Sequence, residues 1–384
     1  MGNDRARRTG VYLTGAVRGV RRAVLSFALL LAAVAIRAQD ARPTFSVGTA
    51  TAARGTTAMG ALVVPAASDS GVRIAVAVIH GARPGPVVAF VAGAHGTEYA
   101  SIIALQRLIP RIDARRLRGT VVIVPLLNVA SFEAMKPHVN PVDGKGMNGV
   151  YPGDSAGTQS QRALALVTRE IVIPSDYVVD LHGGDLDEDL RPYSYWFRGG
   201  RAAQDSASRA LVMAFGLDHV FVNDVNPDAP AAGRSLSGQA LVRGKPVVIA
   251  EAGRSGIVTP EDVALLVNGS LNVLGALRMT DRLPHPSRHT TWLGGGGRAG
   301  GNWSARVAAD SAGVFIATAA RDQRVTKNQT IGYTTDYLGR RTGDIRSPID
   351  GLITFIRGVP SMWPKATLVN VAPILAAPPA WVAP

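Results

Sequence analysis

The stretch that most restricts what this chain can fold into is residues 87–98, Val87-Val88-Ala89-Phe90-Val91-Ala92-Gly93-Ala94-His95-Gly96-Thr97-Glu98, followed at once by a helical run over 99–108. An unbroken apolar run bounded by turn residues is the pattern of a strand buried on both faces, and the change of period after it marks a strand-loop-helix unit. The unit places His95 and Glu98 at the carboxyl end of a core strand, where open α/β sheets hold their ligands. An imidazole and a carboxylate three residues apart can converge on one ion. Zinc takes such donors, and a catalytic zinc site keeps a position for water. A surface pair or a helix-capping contact uses the same spacing, so the motif defines a metal site only with a third ligand.

Residues 120–127, 176–184 and 245–250 read as further buried strands, and 72–79 and 219–222 as weaker ones. Helical patterns occupy 159–171, 206–215 and 259–279, the last opened by Thr259-Pro260-Glu261-Asp262 with a capping residue, a proline and first-turn acids. Residues 39–60 read as a frayed start, 131–158 as a long Gly- and Pro-rich loop of the kind that carries function, and 185–201 as a mixed segment, acidic and then aromatic. The alternation predicts an α/β fold: a doubly wound, mostly parallel (mixed) sheet with helices on both faces. After Pro284-His285-Pro286 and the glycines at 294–297 the texture changes to short strands and turns, with Gly313-Val314-Phe315-Ile316 and Gly351-Leu352-Ile353-Thr354-Phe355 as similar openings. A length of 384 residues suits one large domain, 39–284, and a smaller all-β module, 285–375, ahead of a loose tail, 376–384.

The formal charge of +13 is unevenly placed. Seven arginines against Asp4 put +6 into the first 38 residues; 13 less 6 leaves +7, dispersed over the rest. No basic run interleaved with aromatics remains, so nucleic acid is not an expected partner. Residues 18–22 are basic, 23–36 apolar, and small Ala38 precedes Gln39-Asp40. That is the layout of a signal peptide cut after Ala38, with no integral membrane span once it is removed. An uncleaved anchor is the competing reading. The chain has no cysteine, so any transition metal must be held by His and carboxylate.

Four strands thus end in polar residues: His95 with Glu98, Asn128, His182, and Glu251. A cleft across a doubly wound sheet is built in this way, each strand delivering a group to one rim. His182 supplies the third ligand, and Asp180, two residues earlier on the same strand face, can orient its ring. His95, Glu98 and His182 leave one position for water on a single zinc ion per chain. Glu251, beside Gly253, is the candidate proton shuttle for hydrolysis.

These residues resemble the succinylglutamate desuccinylase/aspartoacylase family of zinc-carboxypeptidase-like hydrolases. The similarity runs through Gly93-Ala94-His95-Gly96-Thr97-Glu98, the Asn128 corner, the loop over 140–153, Asp180-Leu181-His182-Gly183 and Glu251-Ala252-Gly253. It continues into Val325-Thr326-Lys327-Asn328-Gln329-Thr330-Ile331-Gly332 and Ser347-Pro348-Ile349-Asp350-Gly351, which look like the family's appended β-barrel module. The resemblance implies a sheet of zinc-carboxypeptidase type, zinc on His95, Glu98 and His182, Glu251 as general base and acid, and cleavage of an amide in an N-acyl amino acid or peptide-like substrate. Asn148 and Pro152-Gly153 keep the family's loop motif. The arginine that grips the substrate carboxylate is here Gly149, and a second family arginine, which polarises the scissile carbonyl, aligns with His138. Glycine cannot make a charge-assisted pair, so Arg191, Arg234 or Arg254 must reach in, or the substrate has no carboxylate there. The expectation is an exported zinc amidohydrolase; the alternative is a binding or regulatory protein that kept the metal and lost turnover. The oligomeric state is left open.

Overall fold

The computed structural model describes residues 42–294 and 304–377. The expected leader, its cut after Ala38 and residues 378–384 of the expected tail lie outside the described residues. Among those described, no helix is long and apolar enough to cross a membrane.

The strands are Thr44–Val47 (β1), Ala50–Ala53 (β2), Thr56–Val64 (β3), Val72–His80 (β4), Arg83–Ala92 (β5), Arg118–Val124 (β6), Tyr177–His182 (β7), Glu188–Leu190 (β8), Tyr193–Arg198 (β9), His219–Asp224 (β10), Val247–Glu251 (β11) and Thr291–Leu293 (β12). β1 and β2 form a hairpin. A nine-stranded sheet follows the order β12-β10-β9-β11-β7-β5-β6-β4-β3. Its centre, β11-β7-β5-β6, is parallel, as the all-apolar runs require; β9 is antiparallel to β11, and β4 to β6. From Val87 to Ala92 every residue of β5 is buried, each such side chain contributing about 1–3 kcal/mol of transfer free energy.

The helices are Tyr99–Leu108 (α1), Val129–Glu133 (α2), Gln159–Val167 (α3), Ala202–Phe215 (α4), Leu236–Val242 (α5) and Pro260–Ala276 (α6). α1 and α4 pack on α6, and α5 lies on β7 and β11. Thr259 caps α6, accepting from Asp262 N at 3.1 Å. Thr158 and Gln161 form a reciprocal capping box at α3.

Three expectations are corrected. Residues 39–60, read as frayed, supply β1, β2 and the start of edge strand β3. The segment 185–201, read as mixed, holds β8 and β9, the latter inside the sheet. The strand β12 lies beyond the expected boundary at 284 yet pairs in parallel with β10 as the opposite edge.

The C-terminal strands form two sheets, one ordered Ala305–Ala308, Thr367–Ala372, Gly351–Arg357, Arg324–Val325, the other Arg341–Arg346, Thr330–Thr335, Gly313–Ala317, Ser361–Met362. Phe315, Ile331, Ile353, Leu368 and Val369 are buried in their common core. The described residues close no barrel. The first sheet recruits β8, pairing Leu190 with Phe355 and Glu188 with Arg357. Three ion pairs secure the same segment: Arg357 to Asp187 at 2.6 Å, Arg321 to Asp189 at 2.8 Å and Arg191 to Asp322 at 3.1 Å.

Candidate metal centre

After β5 the chain turns through Gly93 at φ +67°, where a Cβ would press on Leu126 at 2.9–3.0 Å. The loop that follows is laced to the end of β6. Asn128 N donates to Gly93 O at 2.8 Å, and Gly96 N donates to Ser131 Oγ at 3.0 Å. Glu98 occupies the cap position of α1 but makes no capping hydrogen bond with its side chain. Its carboxylate instead joins two imidazoles, Oε1 lying 2.6 Å from His95 Nδ1 and Oε2 lying 2.9 Å from His182 Nδ1. One ligand atom from each of His95, Glu98 and His182 lies within 4.8 Å of the others. Two nitrogens and one oxygen, converging and largely withdrawn from water, suit a divalent transition metal. Asp180 Oδ1 lies 3.2 Å from the other ring nitrogen of His182, and its own hydrogen-bonding capacity is otherwise unmet. A carboxylate behind a ligating imidazole fixes the ring and raises its basicity.

The electrostatics follow from this packing. Burial works against the charged form of His182, but Asp180 and Glu98 outweigh it and hold the imidazole well above its usual range. Burial pushes Glu98 up, and His95 and His182 pull it below the ordinary carboxylate range. Glu251, at the end of β11, is the register partner of His182. Burial and the neighbouring carboxylates Glu98, Glu188 and Asp180 push its carboxyl well above the usual range, with His182 opposing. Glu188 is raised to about 8, by burial first, against a backbone hydrogen bond from Asp185 and with Glu98, Asp185 and Asp187 adding to the rise.

The loop over 131–158 brings in His138. Its backbone is left-handed at φ +62°, its ring meets that of His95 edge-on at 5.1 Å, and its Nδ1 lies 3.5 Å from buried Asp185. With 52% of its side chain exposed, it faces the open side of the cluster. Beside the cluster is a cavity of about 520 Å³ whose walls include Asn148, Asp180, His182, Phe197, Asn223 and Leu241.

Other expected substrate contacts lie elsewhere. Asn128 is 1% exposed and uses both ends of its amide on the main chain, Oδ1 accepting from Ser131 N and Nδ2 donating to Ala94 O, each at 3.3 Å. It is a clamp on the His95 loop. Arg191 donates to both oxygens of Asp218 at 2.8 and 2.7 Å and pairs with Asp322, so it ties β8 and β9 to the C-terminal module. Arg254 forms a backbone bridge to Asp189, whose carboxylate feels its charge. Neither arginine lines the cavity. Arg234 does not line it either, but its Nε donates to Gly149 O at 2.8 Å, next to the lining residue Asn148, and Gly149 N donates back to Arg234 O at 2.5 Å. Gly149 is at φ +101° with open space where a side chain would project.

Asp185, Glu188, Tyr193 and Asn223 were not singled out by the sequence. Tyr193 is the register partner of Glu251 across the antiparallel β9 pairing. The alternation in Tyr193-Ser194-Tyr195-Trp196-Phe197 is the signal that would have found that strand.

A doubly wound α/β sheet with a His-Glu-His cluster at the carboxyl rim defines a class of candidate metal-site proteins. The chain belongs to the succinylglutamate desuccinylase/aspartoacylase family, whose catalytic-domain model matches residues 84–277. It is 34% identical over 191 residues to N-alpha-acetyl-L-2,4-diaminobutyric acid deacetylase from Halomonas elongata, covering 50% of this chain and 54% of that protein. The chain thus spans about half the length of this curated relative. Its fold is similar to a succinylglutamate desuccinylase/aspartoacylase from Rhodobacter sphaeroides, with a TM-score of 0.73 and 23% identity over 83% of this chain and 96% of the other. The product-bound ectoine utilization protein EutE (DoeB) from Ruegeria pomeroyi is similar as well, with a TM-score of 0.76 and 21% identity over 86% of this chain and 99% of that one.

Proposed function

We propose that this chain is an exported, zinc-dependent amidohydrolase acting on a small N-acylated amino compound. The observation that carries the reading is the convergence of His95, Glu98 and His182 with Glu251 in register beside them. Those three side chains would hold one zinc ion, which when bound acidifies water and polarises a carbonyl. Asp180 keeps the His182 ring in place through its second nitrogen. Glu251, its carboxyl raised by burial, takes the proton of the attacking water and delivers it to the amide nitrogen as the carbon–nitrogen bond breaks. The hydroxyl stays on the acyl carbon, so the products are a carboxylic acid and an amine. His138, on the open side of His95, donates toward the carbonyl oxygen as negative charge builds there.

The Halomonas relative acts, by its name, on an acetylated diamino acid, which supports a small acylated amino acid as the substrate class. Arg234 takes the part that the sequence left vacant at Gly149. Its guanidinium is anchored on the Gly149 carbonyl through Nε, leaving its two outer nitrogens for a carboxylate.

The test is hydrolysis of a panel of N-acyl amino acids by the purified full chain and by Glu251→Gln. The reading expects release of free amine by the wild type and a loss of about 10²–10⁴-fold in the variant. If neither protein hydrolyses any member while a ligand still raises the melting temperature, the binding-protein reading replaces it.

A further inference from the structure

The cavity beside the metal centre runs along one face of the sheet, and strand register shows which side chains share that face. Asp180 pairs with Ile249, Ile249 with Tyr195, and, two residues further along β9, Phe197 pairs with Asn223. Register partners point to the same side and residues two apart share it, so Asn223 lies on the face that carries His182 and Glu251. The row of His182, Glu251 and Tyr193 is separated from the row of Phe197 and Asn223 by four residues of strand, about 13 Å. Both His182 and Asn223 line the cavity. A ligand reaching from one to the other is elongated.

Much of the wall is apolar, from Phe197, Val225, Ala229, Leu241 and Ile249, with Asn148, Asp180, Asp224, Asn226, Ser235 and Ser237 as polar members. Asn223 is a further polar member. It is 1% exposed, and neither its Nδ2 nor its Oδ1 has a hydrogen-bond partner among the described residues. A buried amide with donor and acceptor both unmatched is unfavourable and calls for an explanation. The neighbouring Asp224 does not supply one, because its carboxylate is taken by Arg198 at 2.6 and 2.8 Å.

We infer that Asn223 is a specificity-determining residue at the far end of the substrate cavity, and that it receives a neutral group with one donor and one acceptor, a carboxamide, carried on an apolar spacer. Among the described residues no lysine or arginine lines the cavity, and Arg234, the proposed carboxylate anchor, sits outside the lining beside Gly149, so nothing at the Asn223 end neutralises a carboxylate. An ammonium would leave the Asn223 donor unmatched. A carboxamide satisfies both atoms at once through a reciprocal pair of hydrogen bonds. The inference rests on the reading of this cavity as the substrate site, and it concerns binding alone.

The experiment is calorimetric titration of the full chain with hexanamide, its methyl-ketone isostere 2-heptanone, hexanoate and hexylammonium, together with thermal melts. Wild type is expected to bind hexanamide about tenfold tighter than each of the others. Asn223→Leu is expected to lose that preference while melting no lower than wild type, because it removes an unmatched polar group; a structural role would lower the melt. Asn223→Asp is expected to shift the preference to hexylammonium. A wild type that does not prefer hexanamide overturns the inference, as does an Asn223→Leu protein that keeps the preference. If the variants do not fold, the wild-type ranking decides alone. Hexanamide binding without hydrolysis of any amide would uphold this subsite and defeat the hydrolase reading; hydrolysis without the preference would do the reverse.

Discussion

Residues of one kind acquire different work here from their surroundings. Arg191 spends its guanidinium on Asp218 and Asp322, whereas Arg234 commits only Nε, to a carbonyl at the edge of the cavity wall. Replacing Arg234→Ala is therefore expected to raise KM for N-acyl amino acids by about tenfold or more, with kcat nearly unchanged, and to leave substrates lacking a carboxylate unaffected; steady-state kinetics on matched substrates check this. Equal effects on both substrate types would remove Arg234 from recognition. Glu98 is another case. Its position at the start of α1 invites a capping role, yet its oxygens face His95 and His182 instead.

At the scale of elements, β8 joins the two parts of the fold. It carries Glu188 into the vicinity of Glu251 while pairing with a strand of the C-terminal module. Arg357, with a side chain only 2% exposed, pairs with Asp187 at 2.6 Å and also donates to the carbonyls of Ser361 and Thr367 at 2.6 and 3.3 Å. Removing Asp187 leaves the Arg357 charge without its carboxylate, though still hydrogen-bonded to those carbonyls, so Asp187→Ala is expected to lower stability by about 2 kcal/mol in urea unfolding, and Arg357→Met in the same chain to recover part of it. A second element carries a pH signature. Asp69 accepts from Gln159 N at 2.8 Å and from Arg162 at 2.7 Å at the start of α3. The Gln159 backbone N–H first, and Arg162 with it, hold the Asp69 carboxyl below its ordinary value against the opposing effect of burial. A lowered carboxyl stabilises the fold above its unfolded value and loses that contribution as pH falls through the folded one. The melting-temperature gap between wild type and Asp69→Asn should thus be open at pH 7 and narrow below about pH 4. A gap independent of pH would contradict it.

The same scale shows what the sequence makes legible. Strands β5, β6, β7 and β11 are readable because burial on both faces forces continuous apolar runs, and α6 because its cap is spelled out by Thr259 and Pro260. The cluster residues His95, Glu98 and His182 are readable because each is a polar residue ending such a run. β3 is obscured because an edge strand with one wet face carries Thr56, Thr57 and Gly60 among its apolar residues. β9 is obscured by the acidic run before it. The work of Arg191 and Arg234 cannot be read locally, since their partners Asp322 and Gly149 are distant in the chain. Asn223 is hidden for a related reason: its meaning lies in its having no hydrogen-bond partner for its amide among the described residues.

For the whole molecule, the fold is a wide mixed sheet whose parallel centre holds the rim of His95, Glu98 and His182 and whose β9 and β10, parallel to each other and antiparallel to that centre, extend one face into the cavity. The basic leader over 18–22 and the apolar run over 23–36 predict export. Cell fractionation should find a chain beginning at Gln39 outside the cytoplasm, and a full-length cytoplasmic product would contradict that. The central claim is narrower, that two imidazoles and one carboxylate bind one ion. Elemental analysis of the purified full chain, wild type beside His182→Ala, tests it most directly. About one zinc per chain in the wild type and well under a tenth of that in the variant is the expected result. A wild type without stoichiometric metal, or a His182→Ala protein that retains it, would contradict the account.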